Sequence, residues 1–367
     1  MVWRLKTLDC SEEIRRELPF TSKKQMKRTT IKDIARRLGV NPSTVSRALK
    51  DHPDIGVALR LEIKKMAEAM HYRPNRLALQ LRQSNSRLIG LIVPEVTMFF
   101  YPSVIKGIQQ VLQEQHYNLI MLPSNESPTM ELENINICAE NEVAGMLISV
   151  SRQSQMPHHL NMLHDLGIPI VMFDKVEADS PFDSVILQDT ASAEYAVLHL
   201  IATGCKRIGG LFGNPNMLIT QQRVQGFRKA LKDHGLPFDE QYVFFADDPL
   251  AAETCAQALM ALDPPPDGIF AMTDEIIIGA MSVIAQSGLK IPEECSVICI
   301  SDGVLPYCLY PKVTFLHHDG IELGKIAALR LLALIESGDY INDDYRGEKI
   351  MIQAKLVQLS TTRHPNT

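Results

Sequence analysis

The 367 residues carry a formal net charge of −6, with 46% hydrophobic and 22% charged side chains, a globular balance in a chain long enough for more than one core. No apolar run reaches bilayer length, charges every few residues break any signal-peptide pattern at the N-terminus, and the seven cysteines form no CxxC pair, which suits reduced thiols in a cytosol rather than a disulfide or zinc framework. The charge is uneven: residues 27–87 sum to +9 and residues 88–367 to −17, as in a phosphate-binding head on an acidic body or, equally, a solvated basic face.

Residues 1–26 show no sustained hydrophobic period and read as a disordered N-terminal extension. Thr30 and Asp33 then form a capping box, and Ile31, Ile34, Ala35 and Leu38 recur at helical spacing up to Gly39, a left-handed stop. Asn41-Pro42 opens a second helix over about 42–49. It turns Val45, Ala48 and Leu49 inward and Ser43 and Arg47 outward, flanked by Thr44 and Ser46. A third helix over about 57–71 places Leu59, Ile63, Met66 and Met70 on one stripe, and Pro74 stops it. Residues 27–73 thus have the spacing of a helix-turn-helix DNA-binding domain, whose outward hydroxyls and guanidinium reach phosphates and base edges. The alternative is a generic helical hairpin with a solvated face. Residues 74–86 hold a helix of about two turns over 75–82, too short to stand alone in water, and a polar linker.

After Arg87 the texture becomes α/β. Apolar runs at 88–93, 117–122, 145–150, 169–173, 207–212, 242–246, 267–272 and 296–300 read as strands. Helical patterns at 103–116, 190–203, 222–234, 251–262, 274–287 and 319–336 fall between them. This alternation predicts parallel sheets with helices on both faces, in two doubly wound lobes. Enzyme signatures are missing: there is no GxSxG, HExxH or GxxxxGK[ST], and GGLFGN (209–214) misplaces the glycines of a dinucleotide loop. His158-His159 and His317-His318 lack acidic or Cys partners at ligand spacing and read as surface or loop histidines. No metal, cofactor or catalytic residue is expected.

The stretch TIKDIARRLGVNPSTVSRALKDHPD (30–54) resembles the DNA-binding head of the LacI/GalR family, with its opening TIxDIAxxxGVxxSTVSRxL. The match runs on through HYRPNRLALQLRQSNSRLIGLIVPE (71–95) and covers Thr29 to Arg363. The resemblance implies that Thr30, Asn41, Ser43, Thr44, Ser46 and Arg47 contact phosphates and bases. It also implies that Asn75, Ala78 and Leu81 belong to a hinge helix, with Leu81 wedged into the minor groove. Spacing alone leaves Leu77, Leu79 and Leu81 open as the wedge, or all three as packing residues. Lys50, Gly56 and Leu59 depart from the family's usual Asn, Ser or Thr, and Thr, which bears on base preference and one phosphate contact.

The body is similar to the family's effector core, which shares the fold of periplasmic sugar-binding proteins: two lobes, joined by three crossovers, close on a ligand at the strand ends. The resemblance implies lobes of 87–187 plus 317–340 and of 188–316 plus 341–363. QQRVQGFRKAL (221–231) matches the family's RxxGfrxAL and makes Arg223 an effector contact, its donor fork suited to carboxylate, phosphate or sugar hydroxyls. An ordinary surface Arg is the plain alternative. Thr273-Asp274 stands at a turn that is usually Asn-Asp, and Ser301-Asp302 at a loop that is usually Asp-Asp or Asp-Asn. Phe100 and Tyr101 match an aromatic pair that stacks on a sugar or base, with core packing the alternative. Asp247 lies in the loop of another cleft contact, and Met98 stands where Asn is frequent. Thr273 and Ser301 thin the usual sugar-hydroxyl acceptors, which points away from a simple neutral hexose or pentose. The whole implies a cytoplasmic homodimeric transcription regulator of repressor type. It would bind near-palindromic double-stranded DNA under control of a small-molecule effector, a sugar or sugar derivative, with no membrane partner. A solute-binding protein reduced to the core, or an α/β enzyme, would need the signal peptide or the catalytic constellation that is missing here.

Overall fold

The computed structural model describes residues 29–49, 51–70, 72, 86–96, 100–151, 160, 163, 166–177, 180–342 and 344–364. The N-terminal extension, the hinge with Asn75, Ala78 and Leu81, Lys50 and Met98 lie outside the described residues. Two compact units make up the chain, Met1–Asn85 and Ser86–Thr367.

The first unit holds α1 (Ile31–Leu38), α2 (Pro42–Leu49) and α3 (Val57–Ala69). The capping box forms: the Thr30 hydroxyl oxygen accepts the Asp33 N–H at 3.3 Å, and the Asp33 carboxylate accepts the Thr30 N–H at 2.9 Å. Gly39 ends α1 at φ 65°, where a side chain would be strained. The Asn41 carbonyl accepts the Thr44 and Val45 N–H groups and starts α2. Ile34, Ala35, Val45, Ala48, Ile55, Ile63 and Ala67 close into one small core. The Thr29 hydroxyl donates to the Met70 carbonyl at 2.9 Å, fastening the entry of this unit to the end of α3. Gly56 gives α3 no side-chain cap.

Among its described residues the second unit contains two six-stranded sheets. One runs in the order β11-β5-β4-β3-β1-β2 and is parallel throughout. Its strands are β1 (Leu88–Val93), β2 (Asn118–Pro123), β3 (Gly145–Ile148), β4 (Ile170–Phe173), β5 (Asp183–Leu187) and β11 (Lys349–Ile352). The other runs β12-β10-β9-β8-β6-β7, from β6 (Ile208–Phe212), β7 (Val243–Phe245), β8 (Gly268–Ala271), β9 (Ser296–Ser301), β10 (Thr314–His317) and β12 (Lys355–Val357). Only its β12 is antiparallel. The intervening helices are α4 (Phe100–Glu114), α5 (Pro128–Glu140), α6 (Asp189–Ala202), α7 (Leu218–Asp233), α8 (Pro249–Met260), α9 (Asp274–Gln286), the short α10 (Leu305–Cys308) and α11 (Gly320–Ser337). Side chains of a strand alternate between faces. Accordingly Ile89, Leu91 and Val93 pack toward α4 and α11, while Ile92, Met146 and Ile148 pack toward α5.

The chain passes between the sheets three times: after β5, after β10 and after β11. This corrects the expected boundary, which put 341–363 wholly in the second lobe. Lys349 to Ile352 pair with Ser184 to Leu187, so the last crossing falls between Ile352 and Lys355. Asp183 fixes that pairing. Its buried carboxylate accepts from the Arg330 Nε at 3.0 Å, from the Tyr345 hydroxyl at 2.8 Å and from the Glu348 N–H, which holds the approach to β11 against β5.

Candidate functional site

On the first unit, burial of Val45 and Ala48 fixes the orientation of α2. Asn41, Ser43 and Arg47 are left exposed, with Thr44 and Ser46 half-buried beside them. The Arg47 guanidinium is exposed and has no ion-pair partner among the described residues. Thr30 is exposed, but its hydroxyl is engaged, donating to the Asp33 carboxylate at 2.6 Å. The arrangement presents short polar groups and one planar donor fork on a rigid helix, the geometry that reads base edges and phosphates.

In the second unit, Phe100, Tyr101, Arg223, Asp247, Thr273, Asp274, Ser301 and Asp302 all line one cleft of about 870 Å³, its open mouth included. It lies at the carboxyl ends of the strands, where doubly wound sheets bind ligands. Asp174 follows β4, Asn214 follows β6, Thr273 follows β8 and His318 follows β10, and each lines this same space.

Arg223 is held by the packing of α7 on α6. A Cβ on Gly226 would sit 2.1 Å from the Thr190 carbonyl oxygen, so only glycine lets the helices approach this closely. One turn earlier, Arg223 Nε donates to Asp189 Oδ1 at 2.7 Å, and another guanidinium nitrogen donates to the Met272 carbonyl. Both side chains are 3% exposed. Arg223 is therefore neither a surface Arg nor a free anchor: much of its fork is engaged by the protein.

Thr273 caps α9, its hydroxyl oxygen accepting the Ile276 N–H at 3.4 Å. Asp274 Oδ2 accepts the Asp302 N–H at 3.4 Å. Burial, with Asp302 and Glu275 nearby, pushes the Asp274 carboxyl up to about 7. Ser301 Oγ accepts the Gly303 N–H at 3.0 Å. The Ser103 hydroxyl of α4 donates to Asp302 Oδ2 at 2.6 Å, a direct link from one lobe to the other. Tyr101 donates to Asp174 Oδ2 at 2.8 Å and lies 3.0 Å from Ser149 Oγ. Burial raises the Asp174 carboxyl to about 6 against the pull of Lys175 and Tyr101. Phe100 packs partly against the first-lobe core and lines the cleft as well.

Two expectations are corrected. His318 lies in the loop between β10 and α11, as one of the two readings had it, but it is not a surface histidine. It is buried, its ring 4.5 Å from that of Phe100, and burial drives it down to about 3, which leaves it neutral. The cleft is also not thin in acceptors, because Asp174, Asp247, Asp274, Glu275 and Asp302 all line it. Among the described residues no His, Cys, Asp or Glu group is arranged to hold a metal. No helix among them is long and apolar enough to cross a membrane.

Residues 86–358 match the periplasmic binding proteins and sugar binding domain of LacI family, and residues 30–75 match the bacterial regulatory proteins of the lacI family. Over 346 residues the chain is 28% identical to the HTH-type transcriptional repressor CytR of Escherichia coli (strain K12), spanning 94% of this chain and 99% of that one. It is 29% identical over 314 residues to the HTH-type transcriptional repressor PurR of Vibrio parahaemolyticus serotype O3:K6, spanning 85% and 93%. The crystal structure of the lac repressor dimer bound to operator and the anti-inducer ONPF shares the fold, with TM-score 0.78 at 21% identity over 91% of this chain and 99% of that one. A helix-turn-helix unit precedes a two-lobed core with a cleft at its strand ends, and both parts match; the chain belongs to the LacI family of bacterial regulatory proteins.

Proposed function

We propose that this protein is a cytoplasmic, homodimeric transcription repressor that binds a near-palindromic DNA operator and is switched by a small molecule in the core cleft. The observation that carries the reading is the pairing of an outward polar strip on α2 with a built cleft in a separate unit of the same chain. Arg47 is the base reader, able to pair bidentately with guanine, and Asn41, Ser43, Thr44 and Ser46 position the helix on the backbone. One short head offers little surface, so two copies read two half-sites, as the lac repressor does as a dimer on its operator. The ligand acts through its differential affinity for the arrangements of the lobes, to which the Ser103–Asp302 link contributes. The cleft binds and does not catalyse; the sugar-binding match of the core makes a sugar or sugar derivative the first class to test.

The reading is tested by incubating the full chain with fragments of its own genome and sequencing what it retains. Fragments sharing one near-palindrome support it. Retention without any shared sequence contradicts it.

A further inference from the structure

Among the described residues, two buried polar atoms of cleft-lining side chains have no hydrogen-bond partner: Asp274 Oδ1 and His318 Nε2. Their residues are only 6% and 4% exposed. An unpaired buried polar atom destabilises a fold, and native folds hold few of them. The two share one support. Asp274 Oδ2 accepts the Asp302 N–H, and the Ser301 carbonyl accepts the His318 N–H at 2.7 Å. The Ser301-Asp302 loop thus ties both residues to the same wall.

The charges around them select against anions. Lys175 is paired with Glu126 at 2.7 Å, and Arg223 with the buried Asp189. Among the described residues, both cations that line the cleft are engaged within the protein, while five carboxyls line the same space. A phosphate or carboxylate would have to compete with Asp189 for Arg223 and with Glu126 for Lys175. A hydroxyl, an amide or an ammonium meets acceptors instead.

We propose that Asp274 and His318 are the specificity-determining pair of this cleft, and that they take a ligand bearing no anionic group. A hydroxyl or amine hydrogen of the ligand is accepted by Asp274 Oδ1, and a neighbouring polar atom meets His318 Nε2. This rests on reading the cleft as the effector site and narrows what that site takes to polyhydroxylated rings without phosphate or carboxylate. The neutral state of the imidazole fits such a partner, since it can either donate or accept.

The test is thermal unfolding of the full chain and of its Asp274→Asn and His318→Phe variants, alone and with millimolar probes. Ribose, glucose, glucosamine, adenosine and cytidine are set against ribose 5-phosphate, glucose 6-phosphate, gluconate and the two nucleoside monophosphates. Without ligand, both variants melt within about 2 °C of the parent or above it, because His318→Phe removes an unpaired atom and Asp274→Asn keeps an oxygen for the Asp302 N–H. Any probe that raises the parent's Tm belongs to the first set, and both variants lose that rise. Glucosamine against glucose separates an ammonium donor from a hydroxyl donor. A phosphorylated or carboxylated probe that stabilises the parent as well as its uncharged counterpart overturns the proposal. So does a ligand-free variant that melts many degrees lower, and this comparison decides alone if no probe moves the parent. Failure of the regulator reading shows separately, in DNA retention, which these melts do not measure.

Discussion

Arg223 and Asp189 are a buried pair whose worth lies mainly in not being broken. Burial holds the Asp189 carboxyl above its ordinary range even with Arg223 beside it, so desolvation outweighs the attraction. Arg223→Ala leaves that carboxyl buried without its cation and is expected to cost about 3–5 kcal/mol, read by urea unfolding. Adding Asp189→Asn recovers most of the loss. A single variant as stable as the parent would show the pair to be dispensable. Asp274 sets a pH dependence of definite sign. Its folded pKa lies above the unfolded value, so the stability it confers as a neutral acid is complete below about pH 4 and is lost as pH rises through about 7. Asp302 and Glu275 push it up, and the Ser301 hydroxyl and the Asp302 N–H pull it down. The Tm difference between parent and Asp274→Asn should therefore shift against the parent between pH 5 and 8; a constant difference contradicts this. At this scale the motifs place Arg223, Thr273 and Ser301 in the cleft wall, but not their partners. Asp189 lies 34 residues from Arg223, and nothing in local spacing joins them. His318 escapes because an adjacent pair of histidines has no period. Its position directly after a buried strand, at the carboxyl end of a parallel sheet, is the signal that finds it.

Glycine at 226 shows how an element carries a site. The motif QGFRKAL reads as an amphipathic helix from sequence, and α7 is one. The reason for its glycine appears only when α6 is in place, with the Thr190 carbonyl where a Cβ would go. Gly226→Ala should force α6 and α7 apart, destabilising by about 1–3 kcal/mol by overpacking and lengthening the Arg223–Asp189 contact one turn away. Chemical denaturation measures the first and a crystal structure of the variant the second. An unchanged helix separation would refute the account. The central strands were legible because buried parallel strands are continuous apolar runs: β1, β6, β8 and β9 all lie on such runs. The last edge strands were not. In β11, Lys349 and Met351 are exposed and Ile350 and Ile352 half-buried, and its place is set by the distant Asp183. That long-range pairing is why local sequence assigns this strand to the other lobe.

Across the whole chain, the charge division agrees with the division into units: the basic stretch 27–87 holds the helical unit, and the acidic remainder holds the sheets. Composition alone left a solvated basic face as an equal alternative. The capping box, the left-handed Gly39 and the exposed Arg47 above a closed core favour the DNA-reading one. The central claim is that this head discriminates one DNA sequence through α2. It is tested by fluorescence anisotropy with parent and Arg47→Ala, each titrated against the retained near-palindrome and against bulk DNA at several salt concentrations. The parent should bind its site at least about 10³-fold tighter than bulk DNA at physiological salt. Both affinities should fall as salt rises. Arg47→Ala should lose about 1–3 kcal/mol of that discrimination per half-site while keeping the helical content of the parent. Equal affinity of the parent for its site and for bulk DNA, or undiminished discrimination in the variant, would contradict the account.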